Sequence, residues 1–113
     1  MRRGEVWKIN LDPTVGSELQ KTRPCVIVSD DAVGLLPLKV IVPLTDWKDR
    51  YAAAKWMVRI DSTPINGLSK SSAADAFQVR SVSQQRLVQQ LGKITDTQLR
   101  QIGEALKAVL ALL

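Results

Sequence analysis

The sequence predicts an α+β fold, in which a small, strongly bent sheet or barrel packs against a terminal helix. Two observations carry this prediction. Most of the chain consists of short runs rich in β-branched residues, separated by segments of turn-forming residues. Near the C-terminus the pattern changes to apolar residues at helical spacing. Strands that come first and helices that come last are typical of α+β folds.

Five segments predict strands. In the first, Trp7, Ile9 and Leu11 alternate with polar residues, as in a half-buried strand. Two further runs are short, apolar and β-branched, which is typical of buried strands, and in the fourth we assign Trp56 to the core. The five segments are Glu5–Leu11, Pro24–Ser29, Leu38–Leu44, Trp56–Asp61 and Ala73–Val82.

Two helices are predicted toward the C-terminus. Ser83 can cap a short helix that continues to about Leu91 and ends at Gly92. Thr95, with Gln98 three residues later, forms a capping-box pattern at the start of a longer helix. The longer helix has an apolar face that must pack on the sheet, formed by Leu99, Ile102, Leu106, Val109, Leu110 and Leu113.

Length and composition predict one domain over residues 1–113, with an ordinary globular composition of 45% hydrophobic and 24% charged residues. Neither a secretory signal nor a membrane span is predicted, because polar residues interrupt every apolar run well short of about 20 residues. The single cysteine, Cys25, excludes an intramolecular disulfide. These features predict a cytoplasmic protein.

The composition also limits the chemistry. The chain has no histidine, so it lacks the commonest acid–base catalyst, and with one cysteine it cannot form a zinc site of the usual Cys/His kind. The composition does not exclude a magnesium site made of carboxylates. The net charge of +5 favours a polyanionic partner without identifying one. An enzyme of this composition would use arginine, lysine, carboxylates, hydroxyls or the backbone.

Three polar groups are candidates for function. Arg23, beside a strand start, could bind a phosphate through two parallel hydrogen bonds, although a solvated loop that pairs Arg23 with Glu18 is the alternative. Thr45 ends an apolar strand, where functional groups and simple turns are both common. Gln78 and Arg80 lie on one face of a presumed strand. They could contact a base edge or a phosphate, and an exposed sheet face explains them equally well.

A fourth segment, Trp47–Tyr51, combines aromatic and basic residues. Exposed rings in such a segment could stack on unpaired bases while the cations meet phosphates. The same residue types are the usual anchors of protein partners. The segment therefore indicates a binding surface without deciding between RNA and protein.

Short motifs run nearly end to end through the chain: Arg3–Trp7, Leu11–Glu18, Lys21–Pro24, Val42–Thr45, Gly67–Ala73, Gln78–Val82 and Arg86–Leu87. As an ordered set at this spacing, they resemble the MazF/PemK family of toxin–antitoxin ribonucleases. The resemblance implies a small SH3-like β-barrel of the CcdB/PemK-like kind, with about five to seven strands and a C-terminal α-helix. It also implies assembly as a symmetric homodimer.

The function that the resemblance implies is that of a type II toxin. Such a toxin is a metal-independent, sequence-specific endoribonuclease without a cofactor, and it cleaves single-stranded RNA to 2′,3′-cyclic phosphate and 5′-hydroxyl ends. Its partner is a cognate antitoxin with an acidic, partly disordered tail, which we expect to bind across the same basic groove as RNA. In this mechanism the RNA supplies its own nucleophile, which agrees with the missing histidine.

The resemblance also implies roles for single residues. The family's catalytic arginine falls on Arg23, which would neutralise the transition state and protonate the leaving 5′-oxygen. The catalytic threonine falls on Thr45, which would donate a hydrogen bond to a phosphate oxygen. The substrate contacts are Ser17, Glu18, Lys21, Gln78 and Arg80.

The resemblance does not identify the general base, because an arginine stays protonated at neutral pH and is therefore a poor base. Glu18 is the nearest candidate in the sequence for accepting the proton of the 2′-hydroxyl. Some relatives carry an Arg-x-Asp pair just before the family's glutamine, whereas this chain has Asp75-Ala76-Phe77 there. That strand is therefore given no catalytic role.

Two other functions share the predicted fold. One is a toxin that poisons DNA gyrase, which would depend on its last residues rather than on a phosphate-binding loop. The other is an SH3-like module that binds RNA or protein and cleaves nothing. Arg23 and Thr45 at the ribonuclease positions favour the nuclease over both.

Overall fold

The computed structural model describes residues 1–33 and 36–113. Its strands are β1 (Glu5–Asn10), β2 (Thr22–Ile27), β3 (Leu38–Asp46), β4 (Met57–Ile60), β5 (Ser72–Asp75), β6 (Arg80–Ser83) and β7 (Leu87–Lys93), and its helix is α1 (Asp96–Leu110). Short 3-10 helices cover Asp49–Ala53, Ala76–Gln78 and Gln84–Arg86. The predicted α+β class, with a C-terminal helix, is confirmed.

The strands pair antiparallel in the order β4-β5-β3-β2-β1-β7. Strand β3 is the longest and organises the sheet. On the side away from β2, its first half pairs with β6 and its last residues pair with β5. The sheet therefore bends around β3, which gives it a barrel-like shape with β4 and β7 at the two ends of the order.

Both faces of the sheet are buried. Successive side chains of a strand point to opposite faces, so each strand contributes to two apolar clusters. The cluster beneath α1 includes Val6, Val26, Val42, Leu44, Ile60 and Ile102. The cluster on the other face includes Ile9, Leu11, Cys25, Ile27 and Ile41, with Trp7 packed against it. The predicted common face of Trp7, Ile9 and Leu11 is confirmed.

Helix α1 begins at the predicted capping box. The Thr95 hydroxyl accepts the backbone N–H of Gln98 at 3.1 Å, and the Gln98 side chain accepts the backbone N–H of Thr95 at 3.0 Å. Leu99, Ile102 and Leu106 pack on the sheet as predicted. Leu110 and Leu113 are exposed instead, because α1 ends at Leu110. No helix in the described ranges, α1 included, has the length and apolarity needed to span a bilayer.

The predicted helix from Ser83 to Leu91 is wrong. The Ser83 hydroxyl does accept a backbone N–H, from Gln85 at 3.2 Å, but it caps only a three-residue 3-10 helix. The chain then continues as β7, which pairs with β1 along most of its length. Pairing with β1 outweighs the helical preference of this glutamine- and leucine-rich segment.

Two predictions around β4 and β5 are also wrong. The single strand Ala73–Val82 is divided, because the Asp75 carboxylate accepts the backbone N–H of Phe77 at 3.1 Å and turns the chain into a 3-10 helix. Trp56 is not a core residue, since 41% of its surface is exposed just before β4 begins. Its ring makes an edge contact with Phe77 at the surface, with the centroids 6.3 Å apart.

Candidate active site

The two predicted catalytic residues lie in one cleft. The last β2–β3 pair is Cys25 with Pro43, and continuing this register by two residues places Arg23 opposite Thr45. Both line a cleft of about 230 Å³, called here the Arg23 cleft. Its residues are Arg23, Pro24, Leu44, Thr45, Asp46, Leu68, Ser69, Lys70 and Ser72. The ends of β2 and β3 thus bring together two residues that lie 22 positions apart in the sequence.

The guanidinium of Arg23 is held by the backbone. Its Nε donates to the carbonyl of Gln20 at 3.0 Å, and Nη1 donates to the carbonyl of Leu44 at 3.3 Å. The side chain is half-buried. Within the described ranges Nη2 makes no hydrogen bond, so the cation is fixed in place and still has donors for an anion.

The Arg23 cleft also contains polar residues to which the sequence analysis gave no role. Lys70 Nζ lies 3.0 Å from the Asp46 carboxylate, and both side chains are largely exposed. Ser72 pairs with Asp46 across β5 and β3. Local pattern could not reveal this group, because 24 positions separate Lys70 from Asp46 and only strand pairing brings them together.

A rigid turn places Lys70 in the cleft. Asn66 is buried, and its side-chain oxygen accepts the backbone N–H of Thr63 and of Leu68, both at 3.0 Å. Its side-chain amide donates to the carbonyl of Asp61 at 2.8 Å. With these bonds the side chain of Asn66 replaces regular backbone pairing in the segment between β4 and β5.

A second and larger concavity contains four of the five predicted substrate contacts. Its volume is about 470 Å³, and it is called here the Gln78 groove. It is lined by Leu11, Val15, Ser17, Glu18, Leu19, Pro43, Phe77, Gln78, Val79 and Arg80. Pro43 lines the groove, whereas the next two residues of β3 line the Arg23 cleft, so the two concavities adjoin along one strand.

Gln78 and Arg80 hold the loop that forms one wall of the groove. The Gln78 amide oxygen accepts the backbone N–H of Leu19 at 2.6 Å, and its Nε2 donates to the Ser17 carbonyl at 3.1 Å. Arg80 Nη1 donates to the Leu11 carbonyl at 3.1 Å. The expectation that both lie on one strand is wrong, since Gln78 belongs to a 3-10 helix, but they do line the same groove.

Glu18 and Lys21 lie apart from the Arg23 cleft. The Glu18 carboxylate accepts the backbone N–H of Val15 at 2.9 Å and lines the Gln78 groove. Lys21 lines neither concavity. Its backbone has a φ of 66° and donates to the Asp12 carboxylate at 3.0 Å, which closes the loop before β2.

The single cysteine is buried in the core. Burial raises the pKa of Cys25 to about 12, although Arg23 and Arg80 nearby act to lower it. The thiol therefore stays neutral at physiological pH. In the described part of the chain, no group of three or more Cys, Asp and Glu side chains is placed to hold a metal ion.

The aromatic side chains differ in exposure from the prediction. Trp47 and Tyr51 are half-buried and contact each other edge to face, with their centroids 6.0 Å apart, and Arg59 stacks on Trp47 at 5.2 Å. The exposed rings are instead Phe77, which lines the Gln78 groove, and Trp56 beside it. Sequence reasoning placed Trp56 in the core and gave Phe77 no role.

Comparison with known proteins identifies the family. A family model described as PemK-like, MazF-like toxin of type II toxin–antitoxin system matches residues 2–110. The chain is 34% identical to the endoribonuclease MazF9 of Mycobacterium tuberculosis over an alignment of 113 positions, which covers 95% of this chain and 93% of that protein. It is 41% identical over 66 residues to the endoribonuclease PemK of Escherichia coli, covering 58% of this chain and 50% of that protein.

Solved structures share the fold. The crystal structure of MazF from Deinococcus radiodurans matches with a TM-score of 0.81 at 22% identity, over 98% of this chain and 96% of that one. A mycobacterial endoribonuclease solved in complex with its cognate antitoxin matches with a TM-score of 0.77 at 22% identity, over 100% of this chain and 97% of that one. The chain belongs to the PemK-like, MazF-like toxin family of type II toxin–antitoxin systems.

Proposed function

We propose that this chain is a toxin that cleaves single-stranded RNA at specific sequences without a metal ion. The observation that carries the proposal is the Arg23 cleft, in which a fixed guanidinium and the Thr45 side chain lie together at the end of one strand pair. Relatives over most of the chain's length are named endoribonucleases, which supports the same activity here.

The chemistry follows from the groups in the cleft. The 2′-hydroxyl of the RNA attacks the adjacent phosphorus, and the bond from phosphorus to the 5′-oxygen breaks. Arg23 stabilises the charge that develops on the phosphate oxygens and gives a proton to the leaving 5′-oxygen, while Thr45 donates a hydrogen bond to a phosphate oxygen. The products are a 2′,3′-cyclic phosphate and a 5′-hydroxyl. Because the RNA provides the nucleophile, the protein contributes positioning, charge and proton transfer.

The carboxylate that shares the cleft with Arg23 and Thr45 is that of Asp46. Glu18 lies in the Gln78 groove, where its carboxylate is bonded to the backbone of its own loop. A general base must reach the proton that it removes, so geometry favours Asp46 for accepting the proton of the 2′-hydroxyl. Lys70, at 3.0 Å, holds this carboxylate and adds positive charge beside the phosphate.

Two variants of equal charge change test this assignment. Asp46→Asn is expected to lower kcat by about 10²-fold or more, because it removes the base. Glu18→Gln is expected to change KM and leave kcat intact. Single-turnover cleavage over a range of RNA concentrations measures both. A loss of kcat in Glu18→Gln alone would assign the base to Glu18.

The Gln78 groove is proposed to bind the RNA next to the cut. The Arg80 guanidinium uses one N–H for the Leu11 carbonyl and keeps others for a phosphate. The side chains of Ser17, Glu18 and Gln78 present donors and acceptors to the edges of unpaired bases. Lys21, outside both concavities, contributes long-range attraction for the phosphate backbone.

We also propose that the toxin acts in the cytoplasm as a symmetric homodimer, which is the commonest soluble assembly. Its partner would be a cognate antitoxin with an acidic, partly disordered tail. The net charge of +5 supports an acidic partner, and the mycobacterial endoribonuclease that shares the fold was solved with its cognate antitoxin. The antitoxin would bind over the Gln78 groove and the Arg23 cleft and so block RNA.

The test is cleavage of a long, unstructured RNA by the purified protein in excess EDTA, followed by sequencing of the fragment ends. We expect cuts at one short recurring motif, with 5′-hydroxyl and 2′,3′-cyclic phosphate ends. The motif would also give the sequence specificity. RNA that stays intact at high protein concentration would overturn the proposal.

A further inference from the structure

The most exposed aromatic ring of the chain faces the Gln78 groove. Phe77 has 70% of its surface exposed, and Trp56, the next most exposed ring, has 41% exposed. Phe77 lines the groove together with the apolar residues Val15 and Leu19 and the polar residues Ser17 and Glu18. Val15, which also lines the groove, is 79% exposed, so Phe77 belongs to an exposed apolar patch at the groove rather than standing alone. An apolar patch bordered by polar and charged groups indicates a binding role.

The backbone that carries this ring is rigid. Ala76 is fully buried, and its backbone N–H donates to the Trp56 carbonyl at 2.9 Å. The backbone N–H of Phe77 donates to the buried Asp75 carboxylate at 3.1 Å. Burial raises the pKa of Asp75, whereas the N–H groups of Phe77 and Gln78 act to lower it. The ring thus projects from a fixed turn and not from a flexible loop.

The ring of Trp56 packs against the ring of Phe77. The two rings meet edge to face, with their centroids 6.3 Å apart and their planes at 68°. An edge-to-face contact favours one orientation of the Phe77 ring, and the ring keeps an exposed face. Fixing the ring in advance lowers the entropy cost of binding a second flat group on it.

We propose that Phe77 stacks on one unpaired base of the RNA and so helps to determine which nucleotide binds beside the cut. This inference rests on the proposed function and adds a specificity residue to it. Stacking needs a fixed aromatic face, with a cation nearby for the phosphate, and the groove supplies Phe77 and Arg80. The net charge of +5 favours RNA over an apolar peptide as the occupant.

The position of the ring fits this role. Pro43 lines the groove with Phe77, and Thr45, two residues along the same strand, lines the Arg23 cleft. Two residues of a strand span about 7 Å, so a base in the groove and a phosphate in the cleft can belong to neighbouring nucleotides. Phe77 would therefore act on the choice of site and on binding, while Arg23 acts on the chemical step.

The test uses an oligonucleotide that carries the mapped cut motif and a 2′-deoxy sugar at the cut, which removes the nucleophile but leaves binding. A series of this probe places an abasic site at each position in turn. For wild-type protein, the abasic site that removes the stacked base is expected to weaken binding about 5- to 100-fold. Phe77→Ala should show the same loss with the intact probe and no further loss with that abasic probe, whereas Phe77→Trp should bind like wild type.

Val88→Ala is the matched control, since Val88 is 62% exposed and lines neither concavity. Its binding and cut motif should equal those of wild type, and Phe77→Ala should unfold at the wild-type denaturant concentration, because its ring is exposed. If wild type cuts its motif and Phe77→Ala binds and cuts identically, Phe77 has no stacking role, although the nuclease proposal stands. If wild type cleaves no RNA, an unstructured oligonucleotide of mixed sequence takes the place of the probe. Binding that Phe77→Ala weakens and Val88→Ala leaves intact would then support the stacking role and overturn the nuclease proposal.

Discussion

Replacement of Arg23 with alanine is expected to lower kcat for RNA cleavage by about 10³-fold, with a much smaller change in the affinity for uncleavable RNA. Loss of a single fixed donor to a developing oxyanion typically has an effect of this order. Here the lost group is a cation as well, and the carbonyls of Gln20 and Leu44 orient it before the substrate arrives. The effect should therefore fall on the chemical step.

Arg100→Ala provides the matched control, because it removes the same charge from the exposed surface of α1. Any loss of long-range attraction for RNA should be similar in the two variants, so their difference reports the local role of Arg23.

Arg23→Lys should recover part of the rate, since it restores the charge but not two parallel hydrogen bonds. Single-turnover rates and the affinity for a 2′-deoxy probe separate chemistry from binding. A rate for Arg23→Ala equal to that of Arg100→Ala would remove Arg23 from the mechanism.

Elements with a strong local signal could be predicted from the sequence. Strands β1, β2 and β3 follow from alternation and β-branched runs, and α1 follows from its capping box and apolar face. Strand β7 could not be predicted in this way. Residues Leu87–Lys93 contain two glutamines and two leucines, which suit a helix, and only the pairing partner β1 makes them a strand. The strand preference of this segment is therefore tertiary in origin.

The same limit applies to the candidate site. Arg23 and Thr45 are weak signals one at a time, and only the ordered motifs single them out. Asp46 and Lys70 meet only because β3 pairs with β5 and because Asn66 fixes the intervening turn. Phe77 carries no local signal that distinguishes an exposed ring from a buried one. Residues whose role depends on long-range pairing are therefore missed.

Gly92→Ala is expected to destabilise the fold by about 3 kcal/mol or more, which is at the upper end for overpacking. The sequence pattern predicts that Gly92 ends a helix, but it lies within β7, where the turn around Asn66 packs directly on it. A Cβ at position 92 would lie 2.1 Å from the Ile65 carbonyl oxygen and 2.7 Å from the carbonyl carbon of Asn66. Both are backbone atoms, so no side-chain rotation can relieve the clash.

The contrast with Gly103→Ala makes this prediction sharp. Gly103 lies inside α1, and a Cβ at position 103 would meet no atom within 4 Å outside the backbone of its own helix. Gly103→Ala should therefore stabilise the protein by about 1 kcal/mol, through helix propensity alone. Urea unfolding at one fixed protein concentration measures both variants on the same scale. If Gly92→Ala unfolds at the wild-type midpoint, the turn does not press on β7. Because that turn also places Lys70 beside Asp46, a destabilised Gly92→Ala should lose cleavage activity at urea concentrations that leave Gly103→Ala active.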